Sequence, residues 1–162
     1  MASSQTPEPG TWARTPRPAS SPDTPVLGRW NPTRAAHVTA GRRELRAALH
    51  DGARPAGAAE GGVERLLLAF EELVSNAVRH GRSPVEVVVT AIGHCWLLEV
   101  TDAAGGTPPI PDHERDAALG GLGLGLVAQL SVAHGWEPLG DGRKVVWARV
   151  DYTREEAAHS TP

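Results

Sequence analysis

Apolar positions in this chain repeat with two periods, and the alternation between them lays out the expected elements. From Val63 to His80 the residues Leu66, Phe70, Leu73, Val74 and Ala77 recur three and four apart. That spacing predicts one helix with a single buried stripe. Glu72, Asn76 and His80, four apart, form a second line on the flank of the stripe, because residues at this interval stack on one helix face. Gly81 follows as a helix stop. An earlier helix from about Arg34 to Leu49 carries Ala35, Val38, Leu45, Ala48 and Leu49 as its apolar positions, with Thr33 or Asn31 as its cap. The Ala- and Gly-rich segment 51–62, with Pro55, reads as a loop between the two helices.

The period then changes. Val85 to Ala91 is rich in β-branched residues and reads as a strand, Ile92-Gly93-His94 as a turn, and Trp96 to Thr101 as the returning antiparallel strand. Val26 to Trp30 fits a short edge strand. The run from Gly120 to Val127 opens a helix extending to about Ala133, after a loop from Ala103 that holds one helical turn near 112–118. Two closing strands, near 135–138 and 144–150, flank the turn Gly140-Asp141-Gly142. No internal repeat is visible. This order predicts an α+β two-layer sandwich, with helices on one face of a mixed, mainly antiparallel sheet.

Residues 1–25 hold six prolines and no periodicity, so they are expected to be a disordered tail. The folded domain is placed at 26–152, with 153–162 as a polar tail. A chain of 162 residues suits one domain, and a formal charge of −3 offers no electrostatic case for nucleic acid. The lone Cys95, in a strand, suits a reducing compartment and a packing role. With no signal-like run and no apolar stretch near about 18 residues, the chain is expected in the cytoplasm, away from membranes.

Three places carry candidate chemistry. Asn76 inside a helix costs on the order of 0.5 kcal/mol against the best helix formers, which suggests a task for it. Asp102, where a strand runs into a flexible loop, can accept a hydrogen bond from an exocyclic amine; an Asp that merely starts a turn is the alternative. Gly121-x-Gly123-x-Gly125 before a helix can form an anion site from free N–H groups and the positive end of the helix dipole, or can simply ease helix packing. No Lys-Ser/Thr follows these glycines, so they do not form a Walker loop.

Taken in order, Glu72-x-x-x-Asn76-Ala77-x-x-His80-Gly81, then Asp102, then Gly121-x-Gly123-Leu124-x-Leu126-Val127 resembles the GHKL ATPase superfamily, whose domain has the Bergerat fold. The resemblance covers about residues 26–150. Within that superfamily the small anti-sigma-factor serine kinases look most similar, through Pro32 and its helix, the run Glu72 to Gly81, the short lid, and Val146-Trp147-Ala148. About 60 residues precede the motif, too few for the phosphoacceptor helix pair of a complete histidine kinase.

The resemblance implies ATP and Mg²⁺ as cofactors and assigns roles by position. Asn76 would offer its amide oxygen to Mg²⁺, and Glu72 would be the general base toward a protein serine hydroxyl. His80 would lie near the phosphates, and Asp102 would read the adenine amine. Gly105, Gly121, Gly123 and the Leu124 N–H would also contact nucleotide, with 103–120 as the lid. The implied partners are a sigma factor and an antagonist protein, and dimerisation is common in the resembled family.

Three departures stand out. Ala104 replaces the usual first glycine, with Gly105 one position later. Leu122 replaces a polar lid residue. Val145 occupies a last-strand position where Thr often supports the adenine-site hydrogen bonds. Each departure would weaken nucleotide binding by roughly 1 kcal/mol, the scale of one net hydrogen bond. Two alternatives to an active kinase therefore stay open: a nucleotide-binding interaction module with little catalysis, and an orphan two-component ATPase domain.

Overall fold

The computed structural model describes residues 12–52, 54–111 and 123–153. In chain order the elements are β1 (Val26–Trp30), α1 (Ala35–His50), α2 (Glu60–His80), β2 (Glu86–Ile92), β3 (Cys95–Asp102), α3 (Gly123–Leu130), β4 (Ala133–Pro138) and β5 (Lys144–Asp151). The strands form one sheet in the order β1-β2-β3-β5-β4. Every neighbouring pair in it is antiparallel, so the expected mixed sheet is antiparallel throughout its named strands. The α+β architecture stands as expected.

Period-2 patterning explains why the sheet has one well-buried face. Val87, Val89, Leu98, Val100, Val146, Ala148 and Val150 all belong to the main core, where they meet Leu66, Phe70, Leu73 and Val74 of α2. Each large side chain buried there contributes about 1.5–3 kcal/mol relative to exposure. Phe70 also meets Trp30 edge to face, with ring centroids 5.1 Å apart. Phe70→Ala would remove that packing at a cost of about 3–5 kcal/mol. On the opposite face Leu97, Val145 and Trp147 make a smaller apolar cluster.

The helix ends differ in detail from expectation. Arg34, not Thr33 or Asn31, occupies the α1 cap position and makes no side-chain cap bond; instead the Thr33 N–H donates to His37 Nδ1 at 3.0 Å. α3 stops at Leu130, where the Ser131 hydroxyl donates back to the Val127 carbonyl at 2.7 Å. Ala133 and His134 are therefore already in β4. The helical turn expected near 112–118 lies outside the described residues.

Residues 12–17 are packed onto the domain, contrary to the expectation of a disordered tail. Trp12 is 3% exposed, and its indole Nε1 donates to the Leu124 carbonyl at 3.2 Å. Thr15 N–H donates to the Trp136 carbonyl at 2.9 Å, and Trp136 N–H donates to the Ala13 carbonyl at 3.3 Å. A Cβ on Gly135 would stand 2.6 Å from Thr15 Cβ, so glycine is needed for this approach. The segment then crosses to the second face of the sheet. There the Thr15 carbonyl accepts from Trp147 Nε1 at 2.9 Å, and Arg17 pairs with Glu99 at 2.6 Å. One large aromatic anchor and a few backbone bonds suffice, although the proline-rich composition hides them.

Candidate functional site

The last turn of α2, the end of β3 and the start of β5 converge on one cavity. Register explains the convergence: Asp102 pairs directly with Lys144, two positions beyond the Val100 and Val146 pair. All four side chains therefore share the face that looks toward α2. The cavity is lined by Leu73, Asn76, Ala77, His80 and Gly81 from α2 and its end, by Asp102, Lys144 and Val146 from the sheet, and by Pro109 and Ile110. Its volume is ≈ 10 Å³, about enough for one water molecule.

Asp102 is 1% exposed and Lys144 4% exposed. Asp102 Oδ2 lies 3.3 Å from Lys144 Nζ, and Oδ1 accepts the Ala104 N–H at 2.7 Å. Lys144 Nζ also donates to the Ala104 carbonyl at 3.3 Å. A buried charge needs such partners, since an uncompensated one costs several kcal/mol. Gly81 makes the close approach of α2 to this pair feasible. A Cβ there would lie 2.7 Å from Asp102 Oδ2 and 2.7 Å from the Ala77 carbonyl oxygen. The glycine has φ −80 and is not in a left-handed conformation, so the close approach, not helix termination, requires it. The neighbouring backbone is tied in as well, with Ala103 N–H donating to the Arg82 carbonyl at 2.9 Å.

Of the residues singled out in the sequence, Asn76, His80 and Asp102 meet at this cavity. Asn76 is 8% exposed, and His80 is exposed. Glu72 sits one turn earlier on α2, 4% exposed, and does not line the cavity. Gly105 packs elsewhere: its N–H donates to the Gly142 carbonyl at 3.0 Å, and a Cβ would stand 2.6 Å from that residue's carbonyl carbon. Gly123 begins α3 with φ +56, and Leu124 is buried in the core; neither lines the cavity. Gly121 and Leu122 lie outside the described residues.

Two findings concern the last strand. Val145 faces away from Asp102, in the cluster with Leu97 and Trp147. The residue beside Asp102 is Lys144, at the start of the closing strand. Strand parity carries the missing signal: Lys144 stands two before Val146 and four before Ala148, on the inward face. Pro109 and Ile110 were also missed as cavity residues, because loop residues have no periodicity to read.

Among the described residues, no group of three or more His, Cys, Asp and Glu side chains converges as a metal site. None of the helices described is long and apolar enough to cross a membrane. No curated protein matches the chain. A family model described as histidine kinase-like ATPase domain matches residues 32–150, a range that holds α1, α2, α3, β2, β3, β4, nearly all of β5 and the cavity residues just described. The chain belongs to that family of ATP-binding domains.

Proposed function

We propose that this protein is an ATP·Mg²⁺-dependent regulatory kinase of the serine/threonine type, acting as an anti-sigma factor that phosphorylates an antagonist protein on serine. The observation that carries this reading is the meeting of Asn76, His80 and Asp102 at one cavity within a histidine kinase-like ATPase domain. The donor set suits the nucleotide. The Asp102 carboxylate is an acceptor for an exocyclic amine, and the Asn76 amide oxygen is a hard ligand suited to Mg²⁺. The nucleotide, when bound, supplies a transferable phosphoryl group. Asp102 would orient the base, His80 would serve the phosphate end, and Glu72 would take the proton of the serine hydroxyl. A purine needs far more room than the ≈ 10 Å³ present, so its binding would require the wall formed by Pro109 and Ile110 to open.

Regulation by partner switching requires a sigma factor and an antagonist as protein partners, and homodimerisation belongs to the same reading. A second reading is a nucleotide-binding interaction module with little transfer activity. It is favoured by the position of Glu72, buried and outside the cavity lining. An orphan two-component ATPase domain would instead require a separate phosphoacceptor partner. The test is transfer of labelled phosphate from ATP to a cognate antagonist. Transfer that falls at least a hundredfold in Glu72→Ala supports the kinase. Nucleotide-dependent partner binding without turnover supports the module, and equal transfer in Glu72→Ala removes the assigned base.

A further inference from the structure

We propose that Lys144 is a base-contacting residue, and that the Asp102–Lys144 pair admits purines with a 6-oxo group, guanine and hypoxanthine, alongside adenine. This rests on the cavity being a nucleotide site and concerns which base it takes. A carboxylate alone presents only acceptors. It can meet the adenine N6 amine or the guanine N1–H, but it leaves adenine N1 and guanine O6 without a donor. Here the carboxylate does not stand alone.

The Lys144 ammonium lies 3.3 Å from Asp102 Oδ2 and is part of the same cavity wall. Of its three N–H groups, one is directed to Asp102 and one to the Ala104 carbonyl at 3.3 Å. The third has no partner among the described residues. Asp102 Oδ1 accepts the Ala104 N–H at 2.7 Å, and each carboxylate oxygen has a second lone pair. The wall thus offers a donor and an acceptor side by side. Guanine O6 next to N1–H is complementary to that pattern, with the ammonium donating to O6 and the carboxylate accepting from N1–H. Adenine N1 next to the N6 amine is also complementary, in the opposite sense. Both contacts involve a charged group of the protein in a site shielded from water, where such hydrogen bonds are strongest. The pair is fixed from three sides by the Ala104 backbone, by the β3–β5 register, and by Gly81, whose lack of a side chain lets α2 close over Asp102.

The experiment is calorimetric titration of the full chain with Mg²⁺ and, separately, ATP, GTP and ITP. The expected result is ATP and GTP affinities within tenfold of each other, with ITP following GTP because it keeps O6 and N1–H and lacks only the 2-amino group. An ATP preference above tenfold would overturn the proposal. Binding of GTP without ITP would place recognition on the 2-amino group and would also overturn it. Lys144→Met, checked for folding by thermal melting, is expected to weaken ATP and GTP binding alike, each at least tenfold. Unchanged affinity for both nucleotides in that variant would assign Lys144 a purely structural role and overturn the proposal. The three-nucleotide series on the unaltered chain decides the matter if the variant fails to fold. Binding of ATP alone overturns this inference and leaves the nucleotide site intact. Binding of no nucleotide overturns both.

Discussion

Arg143 and Lys144 are neighbours in the chain, each with a carboxylate partner at comparable distance, yet they occupy opposite environments. Arg143 Nη2 lies 2.8 Å from Asp141 Oδ2 at an exposed turn, with Glu86 3.5 Å from its other nitrogen. The hydrogen bond between them holds the Asp141 carboxyl below its ordinary value and raises the guanidinium. Water screens that pair from both sides, and such pairs contribute little to stability. Lys144 and Asp102 are 3.3 Å apart, with side chains only 5% and 2% exposed. There neither charge can turn to solvent. Similar pair geometry thus has different consequences: one pair decorates a turn, and the other fixes the chemistry of the cavity wall.

The contrast breaks most sharply by removing one partner at a time. Lys144→Met leaves Asp102 buried without its cation and is expected to destabilise the domain by about 3–5 kcal/mol, measured by denaturant unfolding. Combining it with Asp102→Leu should recover most of that loss, since an apolar pair of similar volume is often neutral or better. Arg143→Ala should leave the unfolding midpoint unchanged within error. Equal effects at 143 and 144 would contradict the distinction.

The packed N-terminal segment, beside β4, offers the same contrast. It holds one buried indole, Trp12, and one partly exposed cation, Arg17, paired with Glu99 and with Glu137 at 3.5 Å. Trp12→Ala is expected to cost about 3 kcal/mol, the lower end for a buried Trp, because an end segment can detach and leave no closed cavity. Arg17→Ala should cost about 0–1 kcal/mol. Unfolding curves of the two variants, recorded side by side, rank the anchor against the ion pairs.

Gly81→Ala tests the contact between α2 and the pair. Its Cβ would lie 2.7 Å from Asp102 Oδ2, so either helix or carboxylate must shift, at about 1–3 kcal/mol. Nucleotide affinity should fall with stability in this variant, and loss of stability alone would remove Gly81 from the site.

The smallest expected effect is at His134, which packs on Trp12 with ring centroids 4.6 Å apart. Burial lowers its pKa below the ordinary 6.5, so the folded state binds this proton less well than the unfolded chain. The contribution of the neutral ring is complete above 6.5 and is lost as pH falls through the lower folded-state value. Thermal melts between pH 7.5 and 5 should show this decline, and His134→Leu should flatten it.

How much of this was legible in the chain follows the same division between periodic and singular features. The helix carrying Asn76 and His80, the hairpin leading to Asp102 and the antiparallel closure all follow from periods of 3.6 and 2, because burial of one face imposes them. Lys144 obeys the strand period, but a lysine at a strand start beside Arg143 carries no local sign of burial. Only the pairing of β3 with β5 shows that its partner is Asp102. Trp12 has no periodic context at all. Its place depends on a contact across 112 residues with Leu124, which local patterning does not encode. Gly81 was visible as a helix stop, whereas the reason a side chain is excluded there appears only once Asp102 is beside it. Gly105 packs closely on the turn at Gly142, a contact that local patterning likewise does not show.

The most direct test of the central claim, that this cavity binds nucleotide through Asp102, is calorimetric titration of the full chain with Mg·ATP beside Asp102→Asn, which keeps the shape of the side chain and removes its charge. Saturable binding to the unaltered protein, weakened at least tenfold in Asp102→Asn, is the result expected. Equal affinity in the two proteins, or no binding to the unaltered one, would contradict it.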